Sequence, residues 1–221
     1  MDIIRAKEIS ASLEKRGVTL VAVSKTKPVS DIQALYDEGF RIFGENRVQE
    51  LVDKQAVLPK DIQWHMIGNL QKNKVKYIAP FIDLIHSVSS PALLEKINSE
   101  AAKHERQIPV LLQLKIASED SKSGMDKEVL LHLISRINDG DLPHIQLKGL
   151  MGMATFTDDE VQIREEFGQL TACLREIDHS VFALGAEEAP TLSFGMSGDY
   201  ELAIEEGSNM VRIGSLIFGS R

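Results

Sequence analysis

Residues 20–46, LVAVSKTKPVSDIQALYDEGFRIFGEN, hold the pattern that decides the fold. They begin with the apolar run LVAVSK (20–25) and continue with VSDIQALYDEG (29–39), whose apolar residues recur at helical spacing. They end with a second apolar run, FRIFGEN (40–46). A strand, a helix and a strand in this order predict two parallel strands joined by a crossover helix.

This unit repeats along the rest of the chain. The further candidate strands are IQWHMIG (62–68), DLIHSV (83–88), IPVLLQLKI (108–116), IQLKGLMGM (145–153), TLSFG (191–195) and MVRIG (210–214). Eight such units in 221 residues predict an α/β fold, a closed (β/α)8 TIM barrel. An open doubly wound sheet is the alternative, but no strand is followed by the GxGxxG turn that is typical of it.

Two further features of organisation follow from the pattern. A helix over roughly residues 2–16 precedes the first strand and lies outside the eight repeated units. The chain contains no Pro/Gly/Ser-rich linker and no low-complexity tract, so we expect residues 1–221 to form one domain.

The composition is that of a globular chain with an acidic balance. Hydrophobic residues make up 43%, and 33 acidic against 25 basic side chains leave a formal charge of −8. This balance argues against general nucleic-acid binding, which depends on clustered Lys and Arg. The single Cys173 excludes an internal disulfide, and no apolar run is long enough for a membrane span. We therefore expect a cytoplasmic protein without a membrane segment and, since the histidines show no ligand spacing, without a metal site.

Ligands of a parallel barrel bind at the carboxyl ends of its strands. The first strand ends in SKTKP, and strand alternation places Lys25 on the same face as Val21 and Val23. If that face lines the barrel, the Lys25 amine lies at the rim of an apolar interior, where an amine can add to a carbonyl group.

The last two strands supply anion-binding features. Ser197 lies between glycines in the loop after the seventh strand, and Gly214 and Ser215 follow the eighth. Barrels often bind phosphate with the loops at these two positions, because glycines let backbone N–H groups approach an anion. Alternation also places Arg212 inward, where it can meet a ring nitrogen or a phosphate oxygen.

The first and eighth strands of a closed barrel are neighbours, so the amine and the phosphate site are expected to lie side by side. That combination suits an aldehyde that carries a phosphate, and pyridoxal 5′-phosphate (PLP) is the foremost candidate. A sugar phosphate held as a Schiff base fits the same two features. Spacing alone does not separate the two.

Seven motifs, in order along the chain, resemble those of the pyridoxal phosphate homeostasis protein family. They are AVSKTKP (22–28), FGEN (43–46), WHMIGNLQKNK (64–74), SEDSKSGM (118–125), KGLMGM (148–153), LSFGMSGDYELAI (192–204) and VRIGSLIFGSR (211–221). The resemblance implies a fold-type III PLP-binding barrel like the N-terminal domain of alanine racemase. It further implies a role in PLP buffering and delivery without strong catalytic activity, with PLP-dependent apo-enzymes as partners.

The resemblance also implies the site residues. The Schiff-base lysine falls on Lys25, and the phosphate ligands fall on Ser197, Gly214 and Ser215, where the family more often has Thr at the last position. Asn46 corresponds to a cofactor-side Asn of the family, and Arg212 to a residue near the pyridine nitrogen. An arginine there keeps that nitrogen unprotonated and the ring a poorer electron sink, which suits a carrier.

Four further residues are predicted to lie at the rim of the barrel. Lys115 and Ser89 stand where the family usually has Asn and Asp, so pocket polarity is expected to differ. Lys122, in the loop after the fifth strand, is a hypothetical second amine for PLP, although an exposed loop lysine is the simpler interpretation. His65 lies near the end of its strand, either beside the cofactor or as a hydrogen-bonded rim residue.

Two enzyme functions are alternatives to the role of PLP carrier. An amino-acid racemase needs a second acid/base on the opposite face of the substrate, and Tyr200 is the tyrosine nearest the site in sequence. A Schiff-base aldolase acting on sugar phosphates fits the lysine and the phosphate site but not the family motifs. A single barrel without the racemase β-domain also leads us to expect a monomer.

Overall fold

A computed structural model describes residues 1–118, 123–185 and 188–219. Eight parallel strands close into a barrel in which each strand pairs with the next and the last pairs with the first. The strands are β1 (Thr19–Val23), β2 (Ile42–Glu45), β3 (Gln63–Met66), β4 (Leu84–Val88), β5 (Ile108–Gln113), β6 (Ile145–Met151), β7 (Thr191–Met196) and β8 (Met210–Ile213). The predicted (β/α)8 barrel is confirmed, and each strand lies within or beside its predicted run.

Helices cover the outside of the barrel. They are α1 (Ile3–Lys15), α2 (Val29–Asp37), α3 (Val48–Val57), α4 (Val75–Ile78), α5 (Pro91–Lys103), α6 (Lys127–Asn138), α7 (Glu160–Arg175), α8 (Tyr200–Glu205) and α9 (Ser215–Phe218). The additional N-terminal helix is α1, and it begins after Asp2, whose side chain accepts a hydrogen bond from the Arg5 amide at 2.9 Å. Such a cap satisfies one of the free N–H groups at a helix start.

Strand alternation divides the apolar residues into two clusters. A small inner cluster fills the barrel and contains Val21, Leu84, Leu111, Met151 and Met210. A much larger outer cluster packs the opposite strand faces against the helices, and it includes the single cysteine, Cys173, as a buried packing residue. Because both faces of the wall are covered, the strands are apolar on both sides.

Gly149 forms a bulge in β6 that only glycine accommodates. Leu147 pairs with Val110 whereas Gly149 pairs with Leu111, so Lys148 is an extra residue in the ladder. The φ of Gly149 is +154°, and a Cβ at this position would lie 1.9 Å from the Thr191 carbonyl oxygen. Close approach of β7 to β6 therefore requires glycine here.

We predict that Gly149→Ala destabilises the protein by more than about 3 kcal/mol, since the methyl group meets fixed backbone at an unfavourable φ. The matched control is Gly168→Ala within α7, where a Cβ would meet nothing within 4 Å. Alanine should stabilise that helix by about 0.5–1 kcal/mol. Urea unfolding of both variants provides the measurement, and equal midpoints would contradict the role of the bulge.

No helix in the described ranges is long and apolar enough to cross a membrane.

Candidate functional site

Lys25 follows the end of β1 on the inward-facing register of Val21 and Val23. Its side chain is half-buried, and among the residues that the structure describes its amine has no hydrogen-bond or ion-pair partner. Lys27, two positions later, differs: its amine donates to the Phe218 and Gly219 carbonyls at 3.1 and 3.3 Å. Of the two lysines in SKTKP, Lys25 therefore has the amine that is available for chemistry.

The predicted phosphate ligands lie beside the end of β1, two residues before this lysine. The hydroxyl oxygen of Ser197 accepts a hydrogen bond from the Gly214 amide at 3.2 Å, which joins the loop after β7 to the end of β8. Gly214 packs against β1, since a Cβ on it would lie 3.1 Å from the Val23 carbonyl oxygen. Ser215 is exposed and begins α9. The structure thus brings Ser197, Gly214 and Ser215 together next to the end of β1.

Asn46 lies one residue beyond β2, on the inward register of Ile42 and Gly44. Its side-chain oxygen is buried and has no hydrogen-bond partner within the described ranges. The segment that follows β3 approaches Asn46 closely, because a Cβ on Gly68 would lie 2.4 Å from the Asn46 carbonyl oxygen. A buried polar atom without a partner is unfavourable, so this oxygen is a candidate ligand contact.

Arg212 projects from β8 into the barrel and is buried. Its guanidinium donates to the Ser193 carbonyl and hydroxyl oxygens at 2.8 and 2.7 Å and to the Gly152 carbonyl at 3.1 Å. These three bonds leave part of its donor capacity free for another group. Burial lowers the pKa of Arg212 to about 10, so the group still carries its charge at neutral pH.

A chain of buried polar side chains continues from Arg212 across the barrel interior. The Ser193 hydroxyl lies 2.9 Å from Nδ1 of His86, and Nε2 of His86 lies 3.0 Å from Nδ1 of His65. The Ser193 hydroxyl oxygen accepts from Arg212, and which group donates in its contact with His86 and in the contact of His86 with His65 depends on the tautomers of the two histidines. Burial lowers the pKa of His65 to about 3. Burial, followed by His65 and Arg212, also lowers the pKa of His86, so both rings are neutral.

Glu166 of α7 ties two loops together at the same end of the barrel. Its carboxylate accepts hydrogen bonds from the backbone and hydroxyl of Ser118, at 3.1 Å each, and from those of Thr155, at 2.6 and 2.8 Å. Burial opposes ionisation of Glu166, but hydrogen bonds from Thr155, Gln162 and Ser118 outweigh it and lower its pKa to about 2. Glu166 thereby joins Ser118, which follows β5, to Thr155, which follows β6.

The remaining residues that the sequence predicts at the rim are Ser89, Lys115, Lys122 and His65. Ser89 follows β4, and Lys115 follows β5 with its amide bonded to the Met125 carbonyl at 2.9 Å. Lys122 lies outside the described residues. His65 is hydrogen-bonded to His86 inside the barrel, which agrees with the hydrogen-bonded alternative predicted for it. Within the described ranges no group of three or more His, Cys, Asp or Glu side chains could hold a metal ion.

Sequence reasoning missed the buried ion pair behind the Lys25 loop. Glu45 of β2 and Lys54 of α3 are both buried, and the Lys54 amine lies 2.7 Å from Glu45 and from Glu50. In sequence, Glu50 and Lys54 are four residues apart in a helix, which is the spacing of an ordinary surface pair. The only available signal was strand alternation, which turns Glu45 away from the barrel interior and towards the helices.

Comparison with known proteins places the fold in one class. The family model described as "Alanine racemase, N-terminal domain" matches residues 5–221. An alanine racemase from Bartonella henselae shares the fold, with a TM-score of 0.70 at 19% identity, covering 100% of this chain and 60% of that one. The class is therefore the alanine racemase N-terminal barrel.

Two closer relatives narrow this class. A pyridoxal phosphate homeostasis protein of Pasteurella multocida is 40% identical over 214 residues, 96% of this chain and 90% of that protein. PipY of Synechococcus elongatus PCC7942 has a structure without PLP, with a TM-score of 0.88 at 33% identity over 99% of this chain and 100% of PipY. Its structure with PLP bound has a TM-score of 0.81 at 34% identity over 96% and 99% of the two chains. The chain belongs to the family of pyridoxal phosphate homeostasis proteins, which confirms the resemblance.

We predict that the buried histidine pair makes stability fall on mild acidification. Both histidines are neutral in the folded protein and take up protons when it unfolds, because the unfolded pKa is about 6.5. Stability is therefore fully present above that pH and declines as pH falls below it, by up to about 1.4 kcal/mol per pH unit for each histidine. Urea unfolding at several pH values between 7 and 5 measures the slope before most carboxylates titrate.

The variant His65→Asn keeps a side chain that can donate a hydrogen bond to His86 or accept one from it and removes one titrating ring, so its slope should be smaller than that of the parent. His132→Asn, at an exposed position on α6, is the matched control and should keep the parental slope. An unchanged slope in His65→Asn would contradict the neutral buried pair.

Proposed function

We propose that this protein binds PLP at the carboxyl ends of β1, β2, β7 and β8 and holds it as a Schiff base on Lys25. The observation that carries the proposal is that the Lys25 amine has no partner among the described residues and follows the same strand end, Val23, on which the bonded pair of Ser197 and Gly214 packs. The amine nitrogen bonds to the aldehyde carbon and the carbonyl oxygen leaves as water, so the reaction needs no oxidant or reductant. PLP, when bound, supplies an aldehyde and an aromatic ring that accepts electrons.

The residues present fit the chemistry of this cofactor. Ser197, Gly214 and Ser215 offer hydroxyl and backbone N–H groups to the phosphate. The unpartnered Asn46 oxygen belongs to an amide that can bond to a polar ring substituent. Arg212 retains donor capacity for the ring nitrogen. PipY, which has been solved with PLP bound, supports PLP as the ligand of this protein.

We propose a carrier in PLP homeostasis rather than an enzyme. A charged guanidinium beside the pyridine nitrogen donates a hydrogen bond but does not readily transfer its proton, which leaves the ring a poor electron sink. A racemase also needs a second acid/base opposite its lysine. The tyrosines of this chain lie elsewhere: Tyr200 packs in the outer cluster, Tyr36 donates to Asp61 at 2.7 Å, and Tyr77 is exposed on α4.

Titration with PLP tests the lysine. We expect a visible absorption band with the parent that is absent from Lys25→Ala and from Lys25→Arg, because neither variant has a primary amine at this site. Lys27→Ala, which removes the nearest other amine, should keep the band. Borohydride reduction followed by peptide mapping should place the label on Lys25. A band that persists in Lys25→Ala, or a label on Lys27, would refute the assignment.

The phosphate site has its own test. Ser197→Ala removes a hydroxyl that bonds to the Gly214 amide, so the affinity for PLP should fall by about tenfold, equivalent to about 1.4 kcal/mol, while the band itself still forms. Ser180→Ala, at an exposed hydroxyl outside the site, is the control and should leave the affinity unchanged. Equal affinities of Ser197→Ala and the parent would remove Ser197 from the phosphate site.

A racemase assay tests the enzyme alternative. We expect interconversion of alanine enantiomers by the PLP-loaded protein to stay near that of free PLP, and Tyr200→Phe to make no difference. Turnover close to that of dedicated racemases, lost in Tyr200→Phe, would make the protein an enzyme.

The carrier role also implies transfer of PLP to cytoplasmic apo-enzymes by a monomer. We expect the loaded protein to reactivate a PLP-dependent apo-enzyme, and Lys25→Ala mixed with an equal amount of PLP to do no better than PLP alone. Sedimentation of the loaded protein should give the mass of one chain. No reactivation, or a dimer, would contradict the respective part of this proposal.

A further inference from the structure

The chain turns sharply at Lys25. The Ser24 amide donates to the Gly44 carbonyl at 3.1 Å, and the Lys27 amide donates back to the Ser24 carbonyl at 3.0 Å. Thr26 has a φ of +64°, a left-handed conformation that is uncommon outside glycine and asparagine. Such a residue persists only where its surroundings hold it, so something must fix this turn.

A cluster of buried charges lies behind the turn, between β2 and α3. The Lys54 amine donates to the Ser24 carbonyl at 2.8 Å and to Glu45 and Glu50 at 2.7 Å each. Three acceptors satisfy all three donors of an ammonium group. Glu45 also accepts from the Ser24 hydroxyl at 2.7 Å, and Glu50 accepts from the Thr26 amide at 2.6 Å. We refer to Lys54, Glu45 and Glu50 as the Lys54 cluster.

The contacts of the Lys54 cluster converge on the two peptide groups that flank Lys25. The Ser24 carbonyl belongs to the peptide before Lys25, and the Thr26 amide belongs to the peptide after it. With both peptide planes held, the backbone angles of Lys25 are fixed, and with them the direction of its Cα–Cβ bond. The side chain then extends towards the barrel mouth rather than outwards between the helices.

Stability alone is a weak explanation for the Lys54 cluster. Removing charges from water is unfavourable, and apolar residues of similar volume often replace a buried ion pair without loss of stability. One oxygen of Glu45 also has no hydrogen-bond partner in the described part of the chain, which adds to the unfavourable side. An arrangement that is dispensable for stability but specific in geometry is typical of positioning.

We propose that Lys54, Glu45 and Glu50 are positioning residues for Lys25, which hold the peptides on either side of it so that its amine meets the cofactor aldehyde. The inference rests on the proposed function, in which Lys25 forms the covalent bond to PLP. The Lys54 cluster does not touch the cofactor site itself, because it lies on the outer face of the barrel wall. It should therefore affect the covalent step and leave non-covalent binding unchanged.

The variant Glu50→Ala provides the test, since its side chain is 22% exposed whereas Glu45 and Lys54 are buried. It releases the Thr26 amide without leaving a fully buried charge unpaired. The matched control is Asp53→Ala, which removes another carboxylate from α3, one that bonds to Gln49 at the surface. The ligands are PLP and pyridoxine 5′-phosphate, which has the same ring and phosphate but no aldehyde.

For Glu50→Ala we expect the rate of band formation with PLP and the affinity for PLP each to fall by about tenfold, as for a misplaced reacting group. Affinity for pyridoxine 5′-phosphate, measured by calorimetry, should stay within about twofold, because it needs no lysine. Asp53→Ala should match the parent with both ligands. Glu50→Gln, which keeps an acceptor for Thr26, should recover part of the loss.

Two results would overturn the inference. Parental PLP kinetics in folded Glu50→Ala would show that the turn holds without the cluster, and equal losses with both ligands would reveal a general structural role. If Glu50→Ala does not fold, the same comparison with Glu50→Leu decides, because leucine fills similar space and offers no acceptor to the Thr26 amide. Failure of the proposed function looks different, because then the parent forms no band or Lys25→Ala keeps it, whatever Glu50 does.

Discussion

In the barrel wall β1 and β8 lie side by side, with Val21 opposite Arg212 and Ala22 opposite Ile213. This pairing joins the two ends of the sheet, and through it residues almost two hundred positions apart become neighbours. Gly214 packs on Val23, so the turn that we propose for phosphate binding lies against the strand that leads into Lys25. Without the pairing the Lys25 amine and this proposed phosphate site would lie at opposite edges of an open sheet.

The barrel wall separates two sets of polar side chains, one on its inner face with Lys25 and one on its outer face behind the turn at Lys25. Inward positions hold Lys25, Asn46 and Arg212, the groups that we propose to face the cofactor. Outward positions hold Glu45 and Ser24, which contact Lys54 of the helix α3. Because successive strand residues alternate between faces, Ser24 and Lys25 belong to different sets although they are adjacent.

Buried charges in this barrel are placed where geometry is needed. Arg212 remains charged in the interior because Ser193 and Gly152 accept its hydrogen bonds. The neighbouring His65 and His86 remain neutral because burial disfavours their charged forms, and for His86 the charge of Arg212 adds to this effect. Polar groups held in this way define one orientation of Arg212, which an apolar interior would not.

The sequence by itself determined the strand order, the (β/α)8 class and the residues at the strand ends, because hydrophobic periodicity and alternation are local properties. The family motifs implied which cofactor Lys25, Ser197 and Gly214 would bind. The bonds from Lys54 to Glu45 and Ser24, and the histidine chain to Arg212, were decided only by the tertiary structure. Burial and partnership of such polar groups depend on which elements pack together, and no local pattern in the chain records the desolvation and hydrogen bonding that result.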